Sequence, residues 1–139
     1  DMVIVDLNRN MKNEISNTIL QNSNVIVYGI KQKLKSINNY ADYEVKQNKN
    51  NKIVYIGRYD KFSKYNFKNI SRYLKIRKNI NKVSYNTLYN DALDEGGVAD
   101  LFIKLKSVKS EDRSIDFLNE TRELSESIIY KIQELDLNI

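Results

Sequence analysis

The sequence predicts an α/β protein built from parallel βαβ units, and three observations carry that prediction. Short apolar runs without polar alternation recur at 2–5, 25–28 and 53–56, which is how strands buried on both faces read. Between them the apolar residues recur every three or four positions, the period of an amphipathic helix. Strand and helix therefore alternate, the order that crossover connections give a doubly wound parallel sheet. At 139 residues the chain suits a single domain with its own core, and no repeat or low-complexity linker divides it.

Residues 1–6, Asp-Met-Val-Ile-Val-Asp, read as the central strand, four apolar residues closed by the carboxylate of Asp6. Ligands of open α/β sheets bind at the carboxyl ends of strands, and a buried carboxylate there must be paired or put to use. Asp6 is thus the first candidate site residue. On the residues alone, capping the next helix or pairing with an arginine accounts for it as well. Asn8, Arg9 and Asn10 form a polar turn that can cap a helix, and Met11, Ile15 and Ile19 line that helix to about Gln21.

Asn22, Ser23 and Asn24 make a turn before the strand at 25–28, which Gly29 closes. Ile30, Leu34, Ile37, Ala41 and Val45 mark a helix face opposite Lys31, Lys33, Lys35 and Lys46, and the polar segment 47–52 ends it. The strand at 53–56 follows, then a helix carrying Phe67, Ile70 and Leu74 and capped by Asn66. Val83 and its neighbours form a short fourth strand. Asn86 is placed to cap a helix from Thr87 to about Glu95, which Gly96 and Gly97 terminate. Val98, Leu101, Phe102 and Leu105 make another apolar stripe. Glu111, Asp112 and Arg113 open the last helix with acidic residues at its favoured end, and Ile115, Leu118, Ile128, Ile129, Ile132 and Leu135 line it.

Composition narrows the chemistry. The absence of Cys excludes a disulfide framework and thiolate metal sites, and the absence of His removes the commonest general base and zinc ligand. No apolar run is long enough to span a bilayer and no signal-peptide pattern occurs, so the expected compartment is the cytoplasm. Lysine, asparagine, isoleucine and tyrosine are abundant and proline is absent, as AT-rich coding would give. Charge is uneven: residues 1–82 carry +11 and residues 83–139 carry −6. A solvated surface with biased codons accounts for this, and so does a basic face for an anionic partner. The helix faces at 31–35 and 72–82 interleave their cations with Tyr40, Tyr43 and Tyr73, as non-specific DNA binding would require; tyrosines at helical spacing serve equally as half-buried core.

The order of these segments resembles the C-terminal part of the ParA/MinD-type P-loop ATPases, the group that includes plasmid- and septum-positioning ATPases. Residues 1–6 are similar to that family's Walker B strand, and the run at 25–28 to the strand after it. Ile-Val-Tyr-Ile-Gly-Arg-Tyr-Asp at 53–60 resembles the strand whose end carries a base-reading Asn. Val-Ser-Tyr-Asn at 83–86, with its helix and Gly96, is similar to the family's Ile-Pro-Tyr-Asn-like segment beside the base. The likeness covers essentially the whole chain.

That resemblance implies a P-loop NTPase-like sheet in an ATPase switch for intracellular positioning or partitioning, working as a homodimer with ATP and Mg²⁺. It implies that Asp6 supports Mg²⁺ through water, a hard oxygen ligand for a hard cation, and that Gly57, Arg58, Tyr85 and Asn86 line the base side. Three departures are visible. Gly57 stands where the base-reading Asn is usual, Ser84 where Pro is usual, and no Gly-x-x-x-x-Gly-Lys-Ser/Thr loop occurs in the chain. The chain is accordingly read as the C-terminal portion of a larger ATPase domain, inactive and without bound nucleotide by itself. The alternatives are a non-catalytic scaffold that keeps the fold and a basic nucleic-acid-binding module. A receiver-like signalling domain fits less well, because no partner carboxylates accompany Asp6.

Overall fold

A computed structural model describes residues 2–7, 13–46, 51–109 and 112–136. Within them the chain runs α1 (Glu14–Asn22), β1 (Ile26–Ile30), α2 (Leu34–Lys46), β2 (Lys52–Tyr59), α3 (Phe67–Leu74), β3 (Ile80–Ser84), α4 (Thr87–Glu95), α5 (Val98–Leu105) and α6 (Ile115–Asp136). The three strands form one sheet in the order β1-β2-β3 with both pairings parallel. The expected βαβ units are therefore present as β1-α2-β2 and β2-α3-β3.

Register places Tyr28, Val54 and Ile80 side by side, and Ile30 beside Ile56. These residues share one sheet face with Ile37 and Tyr40 of α2 and Ile70 and Leu74 of α3, and together they make the main core. Tyr28, Tyr40 and Tyr43 close it at one end, with ring centroids 4.8 Å apart for the first pair and 5.2 Å for Tyr28 and Tyr43. The opposite face of β1 stays open: Val27 and Gly29 are exposed there, and the half-buried ring of Tyr55 lies across Gly29.

The edge of β3 is covered by α6. In a parallel ladder successive backbone N–H groups point to opposite sides; that of Tyr85 donates to Tyr59 of β2 at 3.1 Å, and that of Ser84 points outward. Glu120 of α6 receives this outward N–H on Oε2 at 2.6 Å, while its Oε1 pairs with the Lys82 ammonium. A buried carboxylate thus takes the place of a fourth strand and blunts an edge that would otherwise invite pairing. A second aromatic cluster, Tyr89, Phe102 and Phe117, ties α4, α5 and α6 together with centroids 5.1 to 6.3 Å apart.

Several local expectations hold. Asn66 caps α3 by accepting the Asn69 N–H, Asn86 caps α4 by accepting that of Tyr89, and Gly96 ends α4 in the left-handed conformation at φ 76°. Others need correction. Residues 2–7 take no place in the sheet, and Met2, Val3, Ile4 and Val5 are 52 to 85% exposed. Apolar composition states a preference for burial, but a strand also needs a neighbouring ladder, and local sequence does not supply one. Gly29 lies inside β1 rather than after it, and Ile30 belongs to the strand, so α2 starts at Leu34. In α1 the buried pair is Ser16 and Leu20, whereas Ile15 points to solvent. Asp1, the turn at 8–10, Met11, residues 47–50 and Glu111 lie outside the described residues, as does the side chain of Val45.

Candidate functional site

The carboxyl ends of the three strands meet along one border of the sheet, and one of the three left-handed non-glycine residues among the described residues lies there, the other two being Lys75 and Asn79. β2 and β3 keep register through Ile56 and Lys82, then slip, so that Tyr59 faces Ser84. The slip occurs at Gly57 and Arg58, and Arg58 adopts φ 51°, left-handed and costly for a residue with a Cβ. Strain of this kind persists where its surroundings enforce it, and it concentrates at functional sites. The kink turns Arg58 towards α4, where its Nη2 donates to Asn90 Oδ1 at 2.9 Å.

Gln32, just past β1, locks the neighbouring loop. Its Nε2 donates to the carbonyls of Asp60 at 3.0 Å and Tyr65 at 2.8 Å, and its Oε1 accepts the Asp60 N–H at 2.6 Å. Asp60 Oδ1 accepts the Phe62 N–H at 2.9 Å, and Ser63 Oγ that of Tyr65 at 3.2 Å. The border is basic: Lys31, Lys33, Arg58, Lys61 and Lys64 are exposed along it, against the carboxylate of Asp60. Such a rim suits an anionic ligand.

Four of the five site residues read from the sequence come together here. Gly57 and Arg58 end β2, Tyr85 and Asn86 follow β3, and the Tyr85–Tyr59 backbone bond sets the two segments side by side. Their availability differs. Asn86 is buried and committed at both ends, accepting from Tyr89 and donating Nδ2 to Ser114 Oγ at 3.0 Å, so helix capping is its duty here. At Gly57 an added Cβ would meet the Tyr55 ring at 3.3 Å. Tyr85 is 52% exposed and free to wall a ligand.

Asp6 is not brought to this border by a strand; it lies exposed in the irregular segment 2–7. Among the described residues no three His, Cys, Asp or Glu side chains gather as a metal site.

Sequence reasoning missed the ion pair of Lys82 and Glu120. Burial by itself would lower the Lys82 pKa, but the Glu120 hydrogen bond and charge, with Tyr59 and Asp116, outweigh it and raise the value. The Lys82 Nζ also sits 5.0 Å over the Tyr59 ring. A carboxylate within an apolar helix stripe was the available signal. Lys52, at the start of β2, is buried beside the tyrosine cluster with its Nζ 5.5 Å from the Tyr43 centroid. Burial lowers its pKa, partly offset by Glu44.

Fold and border together define an α/β protein with a parallel three-stranded sheet and a basic rim at its strand ends. Compared with protein-family models, curated proteins and solved structures, the chain matches none of them. No helix among the described residues is long and apolar enough to cross a membrane.

Proposed function

We propose that this chain is the base-side portion of a ParA/MinD-type ATPase switch used in intracellular positioning or partitioning, working as a homodimer. The observation that supports it is the meeting of the Gly57–Arg58 kink with the Tyr85–Asn86 segment at the carboxyl border of a parallel sheet, where α/β nucleotide sites lie. In this reading the Tyr85 ring walls the base and Arg58 contributes positive charge. The phosphate loop comes from sequence upstream of Asp1, and further layers of a doubly wound sheet cover the open face of Val27, Gly29 and Tyr55. ATP supplies the phosphoryl group whose loss resets such a switch.

Calorimetry with Mg-ATP tests the assignment. The 139-residue chain alone should bind weakly or not at all, and in the full gene product Tyr85→Ala should weaken ATP roughly tenfold, the worth of one aromatic stack. Tight binding by the isolated chain, or unchanged affinity in the Tyr85 variant, removes the reading. An upstream sequence without a Lys-containing phosphate loop favours the non-catalytic scaffold instead.

One arrangement favours a second reading, non-specific DNA binding. Lys61, Lys64, Lys68, Arg72, Lys75, Arg77 and Lys78 are all exposed on and around α3, beside the exposed ring of Tyr73, whereas α6 is acidic. Tyr40 serves the core and does not stack on a base. A gel shift that weakens steeply between low and physiological salt is the expected result; no shift at low salt removes it.

A further inference from the structure

Phe62 is 86% exposed, yet the loop that carries it is tightly built. Asp60, Ser63 and Gln32 fix the backbone on either side of it through the hydrogen bonds given above. The Lys61 Nζ stands 5.4 Å from the Phe62 ring centroid, and on the same loop the exposed Lys64 places its Nζ 5.1 Å from the Tyr65 centroid. A large apolar side chain held out to water on an ordered loop loses little entropy when it docks, and aromatic anchors of this kind dominate interface energetics.

A complementary surface exists on the same molecule. Between the start of β3 and the middle of α6 lies an open groove of about 450 Å³ lined by Asn79, Asn81, Glu123, Glu126, Ser127 and Tyr130. Glu123 and Glu126 are exposed, and the Tyr130 ring is 68% exposed at the groove. Its charge is opposite to that of the Phe62 loop, and its size admits an aromatic ring with flanking chains. The loop follows the carboxyl end of β2, whereas the groove opens at the amino end of β3. In a parallel sheet those are opposite ends, so one molecule's loop cannot reach its own groove, but a copy displaced along the strand direction can.

We propose that Phe62, with Lys61 and Lys64, docks into the Asn79–Tyr130 groove of a second copy of this chain, giving head-to-tail self-association. Phe62 packs on Tyr130 while the two lysines face Glu123 and Glu126. The contact is heterologous, so every open assembly keeps one free loop and one free groove, and growth continues unless the rotation closes a ring. It is small, hence weak and reversible, and it does not depend on the nucleotide reading, because neither surface includes Arg58 or Tyr85.

Sedimentation velocity of the 139-residue chain from about 10 μM to about 1 mM tests it, the range in which small interfaces associate. The wild-type chain should form species larger than a dimer as concentration rises, and less so in high salt. Phe62→Asp alone and Glu123→Lys/Glu126→Lys alone should each sediment as monomers, association falling roughly tenfold or more. Mixed together, they should give a 1:1 pair and nothing larger, since one intact loop then meets one intact groove. All substituted side chains are exposed, and circular dichroism confirms that each variant is folded. A wild-type monomer throughout, a dimer indifferent to these substitutions, or a mixture that stays monomeric overturns the proposal.

Discussion

The ring of Tyr55 on β2 lies over Gly29 on β1 so closely that a Cβ at position 29 would sit 2.8 Å from its Cζ and Oη. Gly29 is thus present for the close approach of a neighbour, and its φ is not left-handed. Gly29→Ala should destabilise the protein by about 1 kcal/mol, because the ring tip can swing partly aside on this half-open face. In a Tyr55→Ala background the same change should cost little or help slightly, as alanine is the better strand residue. Chemical denaturation of the four proteins gives the coupling directly, expected at about 1 kcal/mol.

Glu120 binds β3 from the side. Glu120→Ala leaves the Ser84 N–H without its partner and Lys82 without its counter-charge, and should cost about 2 kcal/mol. Because Lys82 is 39% exposed at its side chain, water screens part of the ion pair and the cost stays below that of a fully buried one. Glu120→Gln keeps an acceptor for Ser84 and should lose about half as much. Urea unfolding midpoints with unchanged slopes distinguish the three proteins. Equal stability of the alanine and glutamine variants would show that the backbone bond to Ser84 contributes nothing.

What was legible in the sequence is what local chemistry decides. Asn66, Asn86 and Gly96 end or begin helices through bonds that reach three or four residues, so their positions could be read directly. The runs at 26–30 and 52–59 became strands because each found a ladder. The run at 2–5 has the same composition and found none, since pairing is decided by distant chain. Arg58 illustrates a second limit: no property of an arginine announces a left-handed backbone, which the β2–β3 slip imposes. Glu120 illustrates a third, because its partners Ser84 and Lys82 lie 36 and 38 residues away. The candidate border was therefore half legible. Its segments were recognisable, while the strain, the committed state of Asn86 and the exclusion of Asp6 from the sheet came only with the fold.

Alkaline pH should unfold this protein early. Burial holds the Tyr28, Tyr40 and Tyr43 hydroxyls above the ordinary value of 10.0, most strongly at Tyr40, where the charge and hydrogen bond of Glu44 add to it. Above pH 10 the unfolded chain loses these protons before the folded one does, so stability falls as pH rises. Lys82 acts in the same direction: its raised value gives a contribution complete below 10.5 and lost as pH climbs through the folded value. Lys52, lowered by burial, acts oppositely and gains stability as pH approaches 10.5. The large upward shift at Tyr40 sets the net direction. Thermal melts should hold level to about pH 9 and decline above about 10, and Tyr40→Phe should flatten the decline. A melting temperature independent of pH across this range would refute the tyrosine assignment.

Arg58 separates stability from use at the strand border. Its left-handed backbone costs about 1 kcal/mol relative to glycine, while its exposed bond to Asn90 returns about half of that. Arg58→Gly should therefore leave stability level or raise it by about 0.5 kcal/mol, although replacing an ordinary strand residue with glycine costs about 1 kcal/mol. Arg58→Ala loses the Asn90 bond without relieving the backbone, and should fall about 1 kcal/mol below the glycine variant. That ordering, glycine at or above arginine and both above alanine, follows from the φ of 51° together with the Asn90 bond and is read from denaturation midpoints. If the glycine variant also binds an anionic ligand more weakly, the strain is retained for the charge it positions. If binding is unchanged, the kink serves only to turn β2 into the loop of Phe62.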